Sequence, residues 1–323
     1  MAVIKAKPEK FIQYVLPLVE RELVTPLLTQ RIPQDAFKGA LGDTVTLKVG
    51  GMRAVARKYE FRTRTNPIVL DDIQGGGKLT FKLDTHTTSA TALTDEQMTL
   101  DEIDFAREVL QPQALAVAED LEADVLTKWA TIPWKRSFAT TATTDPLKVT
   151  AEARRLLNAD KVAPQSGRFF LIGSDVEAAW LASDRLSKYD STGETGTPAL
   201  RDATIGRLAG SPVVVSSSLP ADFCWYGHPS ALAMANVAPV VPTGATAGRT
   251  AISANGFAVR WIQDYDPNYL RDRSVVSTFS GLTDIRDERD AKGDLKDPTG
   301  AGYATAKNVR GLAITMTGLG SVL

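Results

Sequence analysis

The sequence predicts an α+β chain assembled around one long helix. Three observations carry this. The stretch from Thr99 to Trp129 reads as a single capped helix. Two alternating segments, Thr44 to Val49 and Lys78 to Asp84, flank a polar, glycine-rich middle, as in a long two-stranded loop. Between Thr150 and Val215 the order is helix, apolar strand, helix, apolar strand.

The long helix opens on Thr99, with Glu102 three residues on, a capping box that satisfies two backbone donors. Asp101, Glu102 and Asp104 in the first turn and Lys128 in the last suit the helix dipole. From Leu100 to Lys128 it would run roughly 43 Å. Ile103, Ala106, Leu110, Ala114, Val117, Leu121 and Val125 form its apolar stripe, and Arg107, Glu108, Glu119, Glu122 and Lys128 its polar face. Pro112 in the middle removes one ladder bond and predicts a kink.

Before the helix, Phe11, Ile12, Val15, Leu16 and Val19 recur at helical spacing, and Pro8, Pro17, Pro26 and Pro33 interrupt them. This predicts an arm that packs its apolar side on something else, or else an ordinary first helix of a core. The ribbon that follows is marginal alone, so it should lie on a partner. After the helix, 130–148 reads as a polar connection, and a second helix runs from Thr150, its candidate cap, to Asn158. Arg168 to Ile172 is a strand, Ser174 to Ser183 a helix, 185–203 a loop, and Pro212 to Val215 and Phe223 to Tyr226 strands. A short helix over Ser230 to Ala235 and a loop over 238–250 precede strands at Gly256 to Asp264 and Arg273 to Phe279; Leu282 to Arg286 extends the latter or starts a third, and Val309 to Met316 reads as a last strand. The mixed-sign run Asp284 to Asp290 reads as a solvated or interface face.

With 323 residues and 43% hydrophobic content the chain can bury a full core. A net charge of −1 gives no overall basic field to hold nucleic acid. The single cysteine, Cys224, precludes an internal disulfide and reads as a small buried residue of a soluble cytosolic product. No stretch approaches the length of a membrane span.

Chemistry is sparse. His86 and His228 form no zinc pattern and read as structural. Asp264, Asp266 and Asn268 open like a calcium loop, but Tyr269 and Val275 occupy the positions that need Gly and Glu, so an Asp-Pro turn is expected. Gly75-Gly76-Gly77-Lys78 is followed by Leu79 where a phosphate loop needs Ser or Thr. Arg53, Arg57, Lys58, Arg62 and Arg64 have only Tyr59 and Phe61 as neighbouring aromatics and read as a salt-bridging strand surface. No catalytic, cofactor-binding or metal-ligating residue is assigned. A core, strands, long loops and a beam without a catalytic set favour a protein whose work is assembly.

Asp95-Glu96-Gln97-Met98-Thr99-Leu100 runs into the helix bearing Pro112, Ala116 and Asp120. Val162-Ala163-Pro164, Arg168 to Ile172, the helix of Trp180, Ile205 to Gly210 and Val213 to Ser217 follow in order. In these segments, Leu93 to Trp129 and Val149 to Leu219, the chain resembles the major capsid proteins of tailed bacteriophages with the HK97-type fold, and among them the branch typified by the P22 coat protein. The resemblance implies an N-arm at 1–42 and an extended β-hairpin loop at 43–85. It implies a peripheral domain at 86–147 with a spine helix at 100–129, an axial domain at 148–255, and return strands and C-terminus of the peripheral domain at 256–323. Neither 185–203 nor 236–255 is long enough for the inserted domain of the P22 type. Some relatives crosslink Lys to Asn; Lys58 and Lys78 lie in the loop, no Asn partner is identified, and no crosslink is expected.

The implied function is a coat protein, not an enzyme. It self-assembles into hexamers and pentamers of an icosahedral shell around double-stranded DNA, touched non-specifically. Partners would be portal, scaffolding and decoration proteins; the location would be the virion capsid, after assembly in the bacterial host cytoplasm, with no membrane and no cofactor. The alternative is an encapsulin-type shell holding protein cargo.

Overall fold

A computed structural model describes residues 23–33, 44–48, 78–95, 105–162, 167–183, 206–216, 218–252, 257–288 and 306–319, with isolated positions between 17 and 70. In chain order its elements are β1 (Gln30–Ile32), β2 (Thr44–Lys48), β3 (Lys78–Lys82), β4 (Thr85–Thr94), a π-helical turn (Phe105–Leu110), α1 (Gln111–Thr131), β5 (Trp134–Thr141) and α2 (Pro146–Ala159). There follow β6 (Phe169–Ile172), α3 (Ser174–Leu181), β7 (Arg207–Leu208), β8 (Ser211–Val215), β9 (Phe223–Gly227), β10 (Leu232–Val237), β11 (Ala247–Ile252), β12 (Ala258–Asp266), β13 (Arg271–Asp284) and β14 (Asn308–Thr317). The mixture of helices and sheets is the expected α+β class.

The strands form two large sheets and the ribbon. The first sheet runs β1-β10-β13-β12-β11, with β4 also on β13; the second runs β5-β14-β9-β6-β8-β7. The middle of the second sheet is covered on both faces, which is why β6 is an unbroken, fully buried apolar run. Phe169 and Leu171 point to a core shared with α1, and Phe170 and Ile172 to a core shared with α2 and α3. Trp225 on β9 joins the first core and Tyr226 the second, as period-two alternation requires. The expected boundaries at 147/148 and 255/256 cut across these sheets. β5 and β14 lie in the second sheet, whereas β10 and β11 lie in the first.

α1 is the central beam. Leu110, Ala114, Val117, Leu121, Val125 and Trp129 are buried along one side, each large side chain contributing roughly 1.5–3 kcal/mol. Buried Gln113 fastens the helix to two strands: its amide donates to the Ser274 carbonyl (2.8 Å) and the Thr91 hydroxyl (3.1 Å), and it accepts from the Ser274 hydroxyl (2.9 Å). The capping residues Thr99 and Glu102 lie outside the described residues. Pro112 does not sit mid-rod: it occupies the first turn of α1, directly after the π-helical turn. Leu110 keeps helical dihedrals (φ −72°, ψ −38°), so the rod continues across the junction with a change of pitch. The wider turn gives room to a ring that would clash with a carbonyl in tight α-helical geometry.

Several local readings are corrected. The stretch 130–148 contains β5, an edge strand parallel to β14. α2 begins at Pro146 with Asp145 as its cap, Oδ1 accepting from Leu147 N–H (2.9 Å); Thr150 lies inside the helix, its hydroxyl donating to the Pro146 carbonyl (2.8 Å). Asp145 takes the cap because the proline beside it suits the first helical position. Ser230 to Ala235 is a 3₁₀ turn leading into β10, and 238–250 includes most of β11.

Candidate assembly surfaces

The extended loop is built from its base upward. β2 and β3 pair antiparallel, Thr44 opposite Lys82 and Lys48 opposite Lys78, which is the expected ribbon. Its base is fixed within the subunit: Phe81 is fully buried among Ile32, Ala233, Ala235 and Ile285, with the Phe37 ring 5.9 Å away. Gly281 of β13 lets the chain at Lys82 and Leu83 cross against it, with no room for a Cβ. Further out, Tyr59, Phe61, Ile68 and Leu70 are 46%, 92%, 71% and 87% exposed. Four large apolar side chains in one loop mark a surface made to be covered. Lys58 and Arg62 are exposed in the same stretch; the glycine run at 75–77 and Arg53, Arg57 and Arg64 lie outside the described residues.

A second surface is the β12–β13 hairpin tip, where Tyr269 and Leu270 are 69% and 60% exposed. Asp266 Oδ1 accepts from Asn268 N–H (3.1 Å), the expected Asp-Pro turn. Asp264 and Asp266 face Arg273 at 2.9 and 3.4 Å, so both carboxylates of the calcium-like spacing already have a cation. Tyr265 donates to Asp95 (3.1 Å), anchoring the tip to the end of β4.

The remaining candidates are structural. The His86 ring packs tilted at 60° against Phe279, centroids 4.6 Å apart, and desolvation, with the Arg260 charge, lowers its pKa. His228 Nδ1 accepts from Ser230 N–H (3.1 Å) and caps the turn. Cys224 is buried, and burial pushes its thiol far up. Of the mixed-sign run, 284–288 are described and are paired within the subunit rather than solvated, and Arg289 and Asp290 lie outside the described residues. Asp284 is 4% exposed between Arg286 and Lys128 (3.4 Å), Asp287 pairs with Arg310 (2.8 Å), and Glu288 accepts from Lys307 N–H (3.1 Å). Glu122, read from spacing as polar-face, is likewise buried. On the far side of the second sheet, Asp160 is clamped by Lys135 (3.0 Å) and Arg136 (2.9 Å). Burial alone would raise its pKa, but these two cations outweigh it and hold the carboxyl below the usual range. Sequence reasoning missed the pairs of Asp284 with Lys128, Asp287 with Arg310 and Asp160 with Lys135 and Arg136 because those partners are distant in the chain.

Comparison with known proteins agrees with a shell subunit. The family described as phage capsid protein matches residues 78–278, well over half of the chain. No curated protein matches. Among solved structures, that of Mycobacterium phage Che8 is similar at 17% identity over 90% of each chain, with a TM-score of 0.60. The mature capsid of bacteriophage PhiM1 is 11% identical over 92% of this chain and 87% of that one, with a TM-score of 0.62. A virus-like particle from Pyrococcus furiosus is 10% identical over 95% and 98%, with a TM-score of 0.52. At these identities the structures speak for the fold, and the family match carries membership. The chain therefore belongs to the phage capsid proteins: it is a tailed-phage major capsid protein of the HK97-type fold, a structural subunit of the virion whose copies form an icosahedral shell.

Proposed function

We propose that copies of this chain join as hexamers and pentamers into a shell that encloses double-stranded DNA. The observation that carries the reading is the exposed apolar loop on an internally anchored base: Phe81 fixes the root, while Phe61 and Leu70 are free to be covered by a neighbour. In this reading the second sheet with α2 and α3 is the axial domain and meets its equivalents around each ring. The first sheet with α1 is the peripheral domain. Rings arise from heterologous contacts that close, and interfaces of ordinary size bury about 1,600 Å² in total. Many such contacts per subunit make the shell strong through multivalency. The net charge of −1 suits a wall that confines DNA without clamping it. Portal, scaffolding and decoration proteins are the further partners, and assembly takes place in the bacterial host cytoplasm. The match to phage capsid proteins favours this over an encapsulin-type compartment.

The test is expression of the chain in a bacterial host, followed by electron microscopy of the purified product, alone and with a scaffolding protein from the same gene cluster. Closed particles with six- and five-fold rings are expected. A chain that stays monomeric at high concentration and forms no particles in either case refutes the reading. Particles that hold a dedicated enzyme rather than DNA move it to the compartment class.

A further inference from the structure

Glu122 stands where three separate parts of the chain meet. It lies on α1, yet it is 6% exposed. Its Oε2 accepts from Val24 N–H at 3.1 Å, and its Oε1 accepts from the Ser216 hydroxyl at 3.0 Å. Val24 belongs to the segment entering from the N-terminal side, and Ser216 follows β8 in the second sheet. Both donors are neutral, and no cation pairs with Glu122 among the described residues. A cavity of about 290 Å³ opens beside the carboxylate, lined also by Leu115, Glu119, Val215 and Ser218.

A buried carboxylate held only by neutral donors depends on both of them. Each oxygen has one donor, so the two bonds together fix the plane and rotamer of the side chain. Leu23 and Thr25 on either side are buried, Leu23 in the core it shares with α1, whereas Val24 itself is 38% exposed beside the cavity and its N–H is held by Glu122. If the Ser216 hydroxyl is removed, the carboxylate is free to turn toward the cavity, away from Val24. Displacement of the Val24 segment would free the same carboxylate from the sheet side.

We propose that Glu122 is a positioning residue that couples the N-terminal segment to the second sheet. A shift of one then shifts the other, so that docking of the arm on a neighbour is felt in the sheet. The consequence for particles rests on the capsid-subunit reading; the coupling itself does not.

The test is site-resolved hydrogen exchange on the full, unassembled chain. Ser216→Ala should speed exchange of the Val24 amide by roughly tenfold or more, the effect of losing one bond to a charged group. Ser216→Thr keeps the hydroxyl, has the cavity for its methyl, and should stay near the wild-type rate. Ser218→Ala alters the same cavity wall without touching Glu122 and should leave Val24 unchanged. An unchanged Val24 rate in Ser216→Ala overturns the coupling, as does equal acceleration in Ser218→Ala. Failure of the wild-type chain to form particles would count against the capsid reading and leave the exchange result standing.

Discussion

Gly281→Ala is expected to disturb the extended loop from inside the subunit. A Cβ at this position would meet the Lys82 carbonyl oxygen closer than real Cβ atoms come, and the Leu83 Cα and Lys82 carbonyl carbon at 3.1 Å each. All three are backbone atoms, so no side-chain rotation relieves the clash. The bend between β3 and β4 must part from β13 by about 1 Å to reach ordinary van der Waals separation. That movement breaks the Asp84 N–H bond to the Ser280 carbonyl, already 3.3 Å long, and lifts Phe81 from its buried seat. Overpacking of this kind costs about 1–3 kcal/mol, and the hydrogen bond adds about 1 kcal/mol. Urea unfolding of the unassembled chain should show a loss of about 2–4 kcal/mol with an unchanged m value. Amide exchange should quicken along β3, and closed particles should become fewer because the loop leaves its root at another angle. A variant within about 0.5 kcal/mol of wild type that assembles normally would refute the packing of the ribbon base on β13.

Phe61→Ser with Leu70→Ser should leave the stability of the unassembled chain within about 0.5 kcal/mol while abolishing particles in sedimentation, because both side chains are exposed in the free subunit. Asp160→Asn removes the anion clamped by Lys135 and Arg136, and at neutral pH should cost about 1–3 kcal/mol. Folding depresses this carboxyl, so its contribution is present above the unfolded pKa of about 4 and lost as pH falls through the folded value. Stability of the Asn variant should therefore be flatter over that acid window in urea titrations, and an identical slope would remove the clamp from the account. Cys224 should resist iodoacetamide at pH 8 in the native chain and react on unfolding, since burial keeps it protonated and inaccessible; rapid native labelling would contradict its place in the core.

What the sequence disclosed followed from what each strand touches. β6 and β9 are covered on both faces and read as apolar runs, and β2 and β3 alternate, so all four were legible. β5 was not, because an edge strand with one neighbour can carry lysine, arginine and threonine, here half-buried with Lys135 and Arg136 paired to the remote Asp160. β10 carries Leu, Ala and Met, good helix formers, and burial between β1 and β13 overrides that preference. Glu122 has the spacing of a solvent face, and spacing cannot show that Val24 comes back over that face. The assembly surface was legible in outline as a marginal ribbon needing support; that its root is held by Phe81 and Gly281 depends on Ile32, Ala233 and Ile285, remote in sequence.

The place where this subunit can change shape follows from how its two sheets are joined. Among the described residues the chain passes between them at 131–134 and 227–232, and it leaves the first sheet after Asp284 and re-enters the second at Asn308; these places are stitched together. Asn308 donates its side-chain amide to the Ala231 carbonyl (2.8 Å) and its backbone N–H to Pro133 (3.0 Å), and Ile285 N–H reaches the same Ala231 carbonyl (3.0 Å). Beneath them the Trp225 ring packs at 5.2 Å from Trp129, 5.4 Å from Trp134 and 5.1 Å from Phe169, with Gly227 and Gly311 leaving room for it. Interdigitated rings and shared carbonyls resist gradual deformation. The two sheets and α1 are therefore packed as one continuous unit. Pro112 marks a change of helical pitch in the rod, not a break in it. A change of shape that keeps this packed core intact is therefore expected in the ribbon β2–β3 beyond its root over Gly281, which pairs only with itself.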